Sequence, residues 1–226
     1  MANMHRLDAI TYPKILEWCK SEDIRCLYFL ADSNDPNTLA QLHKNDFQFI
    51  DTRVCYEKPL DPNTTVAPDL PAHITIRPAN PNNIERLYSI AHHAFLDSRF
   101  YADPHIPNRK VDKFYQTWIH NSILKNFASA TIVAEINYKV VGFLILKYHH
   151  PYEQGNYSLM SISPEARGQG LAYKLMTQAN YQIVKNGMSV ANVITQGRNI
   201  IAQRLYQKGQ MRLTKLQYWY HKWFTN

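Results

Sequence analysis

Glycine is scarce in this chain, with seven among 226 residues, so two glycines one residue apart, Gly168 and Gly170, stand out as a place where the backbone needs unusual freedom. Cysteine is scarcer still. Cys19, Cys26 and Cys55 are odd in number, lie in the first quarter and have no C-x-x-C spacing. That excludes a disulfide framework and a dithiol redox motif, and reads as reduced packing residues. No apolar run approaches the roughly 18 to 20 residues of a membrane helix. Met1-Ala2-Asn3-Met4-His5-Arg6 opens no signal-peptide core, and a soluble, cytoplasmic protein without a membrane partner is expected. Runs of basic residues are absent too: the net charge is +7, but Lys and Arg are scattered, which argues against nucleic acid and fits small anionic ligands. The histidine pairs His92-His93 and His149-His150 form no H-x-x-x-H clamp, so no metal is expected. No internal repeat or low-complexity tract occurs.

What is present is a packed globule, 45% hydrophobic and 12% aromatic. Residues 1–57 read as a small N-terminal α/β lobe, with a helix near Pro13 to Cys19, a strand from Ile24 to Leu30, a helix opened by Asp35-Pro36 and a strand from Phe47 to Tyr56. Residues 58–72 hold Pro59, Pro62, Pro68 and Pro71 and suit an extended linker. Residues 73–226 form the second unit. It opens with a strand at His73 to Pro78, a helix from about Pro81 to Leu96, a loop, and a helix from Val111 to Phe127. Strands at Ala130 to Ile136 and Lys139 to Tyr148 meet at a tight Asn137-Tyr138 turn. In the last segment, Met211 to Trp223, the apolar parity switches between Leu213 and Leu216, which predicts a bulge near Thr214.

The glycine pair sits in Ser161-Ile162-Ser163-Pro164-Glu165-Ala166-Arg167-Gly168-Gln169-Gly170-Leu171-Ala172. Tyr157 to Ile162 is strand-like and Pro164 stops it. Leu171, Leu175, Ala179 and Ile183 then recur on one helical face, with Lys185 in the last turn and Gly187 just beyond. A helix that begins on glycine-rich backbone exposes unpaired N–H groups at its positive dipole end, a place suited to a phosphate or pyrophosphate. The stretch is neither a P-loop, lacking Lys followed by Ser or Thr, nor a dinucleotide fingerprint. A tight turn that merely needs glycines is the competing reading. After a strand at Ser189 to Thr195 comes a short helix from about Asn199 to Lys208, which puts Asn199, Ala202 and Tyr206 on one face.

The R-x-x-G-x-A form of Arg167 to Ala172, followed by Asn199 and Tyr206, resembles the GCN5-related N-acetyltransferases (GNAT). The resemblance implies the GNAT fold: a mixed, mostly antiparallel central sheet flanked by helices, here with the N-terminal α/β lobe. It implies acetyl-CoA as co-substrate, held by Ile162, Arg167, Gly168, Gln169, Gly170, Leu171, Ala172, Asn199 and Tyr206. Gln210 stands after Gly209 where that family commonly has an aromatic residue. Within the family, Ala94 to Phe100, Phe114-Tyr115-Gln116-Thr117-Trp118-Ile119, Thr195-Gln196 and Tyr218-Trp219-Tyr220 look like dTDP-fucosamine acetyltransferases. This implies a nucleotide-linked amino sugar as acceptor, for a surface polysaccharide, with Arg99, Phe100, Tyr101, Tyr115 and Gln196 as contacts. Phe95, Trp118 and Ile119 read as core. A homodimer is allowed for; the sequence leaves the oligomeric state open.

Acyl transfer to an amine needs a donor for the developing oxyanion and support for the leaving sulfur. The resemblance implies a bulge in the strand before the loop and a free backbone N–H at about Ile162 for the first role, and Tyr206 for the second. A tyrosine of pKa about 10 lies about 1.5 units above a thiol, so full proton transfer is uphill by about 2 kcal/mol. A strong hydrogen bond, or a lowered Tyr206 pKa beside the helix, is therefore expected. Tyr206 as a mere packing residue is the competing reading. No general base is identifiable, and direct attack in a ternary complex needs no covalent enzyme intermediate. Two other functions stay open: acetylation of a protein N-terminus, polyamine or drug, and a non-catalytic coenzyme A sensor or RNA binder.

Overall fold

The computed structural model of the chain describes residues 7–92 and 94–224; the N-terminal hexapeptide and His93, both considered above, lie outside them. One eight-stranded sheet runs through the molecule in the order β1-β8-β2-β7-β6-β5-β4-β3. In chain order the strands are β1 Cys26–Asp32, β2 Gln48–Pro59, β3 Ile74–Pro78, β4 Ala130–Ile136, β5 Lys139–His149, β6 Gln154–Ile162, β7 Val190–Gln196 and β8 Arg212–Trp223. The helices are α1 Thr11–Ser21, α2 Pro36–Lys44, α3 Ile84–Ala91, α4 Arg99–Ala102, α5 Asn108–Leu124, α6 Leu171–Lys185 and α7 Ile200–Lys208. Every neighbouring pair of strands is antiparallel except β6 and β7, which are joined through α6 and run parallel. The sheet is thus mixed and mostly antiparallel, as expected.

Two cores lie on opposite faces of the sheet. On one face α6 lays Leu171, Leu175, Ala179 and Ile183 against Ile132, Leu144 and Leu146. On the other, Leu87 of α3 and Ile119 of α5 pack on Val133, Phe143 and Ile145. Residues 143–146 of β5 feed both cores by simple alternation, which is why that strand is apolar at consecutive positions. A third core joins α1 and α2 to β1 and β8 through Phe29, Leu42, Phe47 and Tyr220.

The two strands of residues 1–57 do not form a sheet of their own: β2 lies between β7 and β8, and β1 flanks β8. The stretch between β2 and β3 has no regular element, yet it is fastened, with Leu60 N–H donating to Ser189 O (2.8 Å) and Lys174 Nζ to Asp69 O (2.8 Å). The helix expected through Leu96 ends at Ala91, because the chain turns there to stack Phe95 on Tyr115, with centroids 4.7 Å apart. The one turned α4 occupies part of the expected loop, and α5 begins three residues early, directly after Pro107. Asn137 and Tyr138 both have positive φ (47° and 63°), the geometry of a two-residue hairpin turn. In β8, Cys55 faces Lys215 and Tyr56 faces Leu213, so Thr214 is the extra residue of a bulge.

Candidate active site

The parallel pairing of β6 with β7 runs only from Gln154↔Val190 to Tyr157↔Val193. Past Tyr157 the two strands separate and leave a gap in the middle of the sheet. At the same point β6 is bulged against β5: Ile145 faces Leu159 and Leu146 faces Tyr157, which leaves Ser158 without an opposite number. Beyond the gap, Ser163 N–H donates to Val141 O at 2.8 Å. Backbone groups alternate along an antiparallel ladder, so the N–H groups of Met160 and Ile162 point away from β5, into the gap. Ile162 was expected from the sequence. Met160 was not, since a backbone donor leaves no mark on residue type.

Residues 164–166 form a single tight turn, and Gly168 and Gly170 follow with φ of +78° and +72°. Gly170 is the N-cap of α6 and supplies no side-chain cap, so the first-turn N–H groups of a 15-residue helix are left without a side-chain partner. A Cβ built on either glycine would meet nothing within 4 Å. The loop is therefore an open cradle of backbone donors at a positive helix end, and it fits the pyrophosphate of a coenzyme. Arg167 turns back, its Nε donating to Ile162 O at 3.2 Å. Gln169 is exposed, and Leu171 is buried under the helix.

Tyr206 of α7 belongs to the same core as Ala166, Leu171 and Tyr157, so it shares the α6 face of the sheet with the glycine loop. It is buried, its ring tilted on Tyr56 with centroids 5.8 Å apart. Among the described residues its hydroxyl has no hydrogen-bond partner. Burial raises its pKa, which corrects the alternative of a lowered value: no cation or helix end offsets the lost solvation. Tyr206 is a neutral O–H donor. Asn199 is not on the helix face but at its cap, its Oδ1 accepting from Ala202 N–H at 3.1 Å. Its Nδ2 alone remains to donate.

The expected acceptor residues lie on the other face. Tyr115 is a core residue, 8% exposed, with Phe95 and Tyr101 stacked near its ring. The Tyr101 hydroxyl donates to Asp112 at 2.5 Å. Gln196 ends β7 opposite Arg53. Arg99 differs from these. Its guanidinium stacks on Trp219 at 3.9 Å, Phe100 at 4.2 Å and Tyr28 at 5.1 Å. No carboxylate lies within ion-pair reach of it among the described residues, and burial lowers its pKa. A largely desolvated cation with several unused N–H donors is costly unless an anion completes it.

A pair that sequence reasoning missed holds Arg99 from behind. His221, 0% exposed, faces Arg99 Nη1 with its Nε2 at 3.4 Å and donates from Nδ1 to Asp103 Oδ2 at 2.5 Å. The same Asp103 oxygen accepts from Trp223 Nε1 at 2.9 Å, and the other from His105 N–H at 2.9 Å. Burial pushes Asp103 up, but these hydrogen bonds outweigh it and leave it below the usual carboxylate value. With Nδ1 protonated toward Asp103, Nε2 is a lone-pair acceptor for Arg99. Burial first, and Arg99 as well, depress the His221 pKa despite Asp103. An unfolded chain therefore binds a proton at this histidine in a range where the folded one does not, so stability rises with pH up to the ordinary value of 6.5 and falls as pH drops below it. Urea unfolding between pH 5 and 8 should show that slope, and His221→Gln should flatten it.

Residues 128–209 match the family described as the acetyltransferase (GNAT) domain. The spore coat polysaccharide biosynthesis protein SpsD of Bacillus subtilis (strain 168) is 27% identical over 153 residues, 68% of this chain and 52% of its own. The chain thus spans about half the length of that curated relative. Among solved structures, a GCN5-related N-acetyltransferase from Sphaerobacter thermophilus superposes with TM-score 0.68 at 14% identity, covering 95% of this chain and 66% of that one. The PaiA N-acetyltransferase from Thermoplasma acidophilum, solved with coenzyme A, gives TM-score 0.51 at 17% identity over 67% of this chain and 99% of that one. The family match lies over the gap, the glycine loop and α7, so this stretch is similar to the acetyltransferase (GNAT) domain, and the chain shares its fold with solved N-acetyltransferases.

Proposed function

We propose that the protein is an acetyl-CoA-dependent N-acetyltransferase that acetylates the amine of a nucleotide-activated amino sugar by direct attack in a ternary complex. The observation that carries the acceptor is Arg99, a largely buried cation with no carboxylate in ion-pair reach among the described residues, stacked on three aromatic rings. A nucleoside diphosphate supplies what it lacks: charge for the guanidinium and a base for the surrounding rings. The sheet face beside it is polar, with Arg53 Nη1 donating to Gln217 Oε1 (2.5 Å) and Gln217 Nε2 to Asp32 Oδ1 (2.8 Å). That floor suits a hydroxyl-bearing ring better than an aliphatic polyamine. The similarity to SpsD, named for spore coat polysaccharide biosynthesis, points the same way.

In this reading the glycine loop and the start of α6 bind the pyrophosphate of acetyl-CoA, which supplies an activated acetyl group when bound. The N–H groups of Met160 and Ile162 hold the carbonyl oxygen, and the gap between β6 and β7 joins the coenzyme face to the acceptor face. Tyr206, kept neutral by burial, donates a hydrogen bond to the sulfur as charge grows there. Arg99→Ala should lower kcat/KM for a dTDP-linked 4-amino-4,6-dideoxyhexose by about 10²-fold, as expected for loss of a charge-assisted contact of about 3 kcal/mol. Acetyl-CoA affinity should stay near its original value. Equal use of a free amine by both proteins, with no use of the nucleotide sugar, would instead mark a small-amine, polyamine or peptide acetyltransferase.

A further inference from the structure

A ladder of side-chain hydrogen bonds crosses three strands just where the gap opens. Asn192 Nδ2 on β7 donates to Glu57 Oε1 on β2 at 3.0 Å. Asn156 Nδ2 on β6 donates to Asn192 Oδ1 at 2.7 Å. Ser158 Oγ donates to Asn156 Oδ1 at 3.2 Å. Glu57 is paired with Asn192, and Asn192 with Asn156, in the strand register, so the rungs follow the sheet. Ser158 is the bulge residue, one place past the last β6–β7 pair and two before Met160.

The direction of the ladder is fixed at one end. A carboxylate only accepts, so Asn192 must turn its Nδ2 to Glu57 and its Oδ1 to Asn156. Asn156 must then present its own Oδ1 to Ser158, which takes up the hydroxyl proton. Both lone pairs of Ser158 Oγ are left to accept. We infer that Ser158 receives an N–H of the attacking amine and aims its lone pair at the gap, and that Glu57 is a positioning residue that polarises Ser158 through the two asparagines. This rests on the acetyltransferase reading above but not on the identity of the acceptor, because any primary amine offers the N–H. It also accounts for the chemical choice at the bulge: a hydroxyl whose proton is tied up discriminates for a donor, here an amine, over an acceptor-only group.

The test is a double-mutant cycle read with acetyl-CoA and two acceptors, a dTDP-linked 4-amino-4,6-dideoxyhexose and glucosamine. Ser158→Ala should lower kcat/KM for an accepted amine by about tenfold, the scale of one lost hydrogen bond in a desolvated site. The KM for acetyl-CoA should not move, and Ser158→Thr, which keeps a hydroxyl, should retain most of the activity. Glu57→Gln lets the ladder run in either direction and should cost about threefold, but nothing further once Ser158 is alanine. Full activity of Ser158→Ala, or losses that simply multiply, would overturn the inference. Two readouts need no organic acceptor. Glu57→Gln should shift the side-chain amide resonances of Asn156 as well as Asn192, and Ser158→Ala should slow the hydrolysis of acetyl-CoA, in which water takes the amine's place. If neither amine is acetylated, the acceptor reading fails by itself, and unshifted Asn156 resonances with unchanged hydrolysis would reject the ladder's role.

Discussion

Replacing Tyr206 by phenylalanine should lower kcat by about 10² to 10³-fold while changing the KM for acetyl-CoA little, the magnitude seen when one donor to a developing charge is removed. The hydroxyl has no partner among the described residues and sits in an apolar core with Ala166, Leu171 and Tyr157. Its hydrogen bond matters chiefly when negative charge appears. Because burial raises its pKa, the rate should show no basic limb from Tyr206 ionisation near pH 9 to 10. Phenylalanine keeps the ring contact with Tyr56, so the melting temperature should hold. A mutant with unchanged turnover and a raised coenzyme KM would make Tyr206 a binding residue only.

Gly170→Val should abolish measurable acetyl-CoA binding in calorimetry. Two effects combine. A β-branched residue is strained at φ +72°, and its side chain would fill the open space over the cradle from which the backbone N–H groups must reach a phosphate. Gly187 provides the control, since it has φ +76° and equally open surroundings at the far end of the same helix. Gly187→Val should cost comparable stability and leave acetyl-CoA affinity intact. Loss of affinity in both would mean that the loop acts only through folding.

The glycine loop and the regular elements around it were legible because their signals are local. The bounds of α6, the Asn137-Tyr138 hairpin and the bulge at Thr214 each follow from spacing within a few residues. The opposite face of the sheet was not, because its interactions join distant segments. Asp103 and His221 stand 118 residues apart, and neither carries a neighbouring motif. The ladder from Glu57 to Ser158 depends on β2 lying beside β7, an insertion into the sheet that no periodicity reveals. Arg99 was singled out from sequence, but its aromatic cage draws on β1 and β8 at opposite ends of the chain. Asn199 was expected on the face of α7 and stands at its cap instead, since an asparagine just before a helix readily accepts from a first-turn N–H.

The most direct test of the account is to incubate the purified protein with acetyl-CoA and a set of dTDP-linked 4-amino-4,6-dideoxyhexoses, beside glucosamine, spermidine and a peptide with a free N-terminus, and to identify the acetylated product by mass spectrometry. The account predicts one acetyl group on the sugar amine of a nucleotide-linked acceptor, with release of free thiol in equal amount and a much lower rate for every acceptor lacking the nucleotide. Preferential acetylation of spermidine or the peptide, or binding of acetyl-CoA without transfer to any amine, would contradict it.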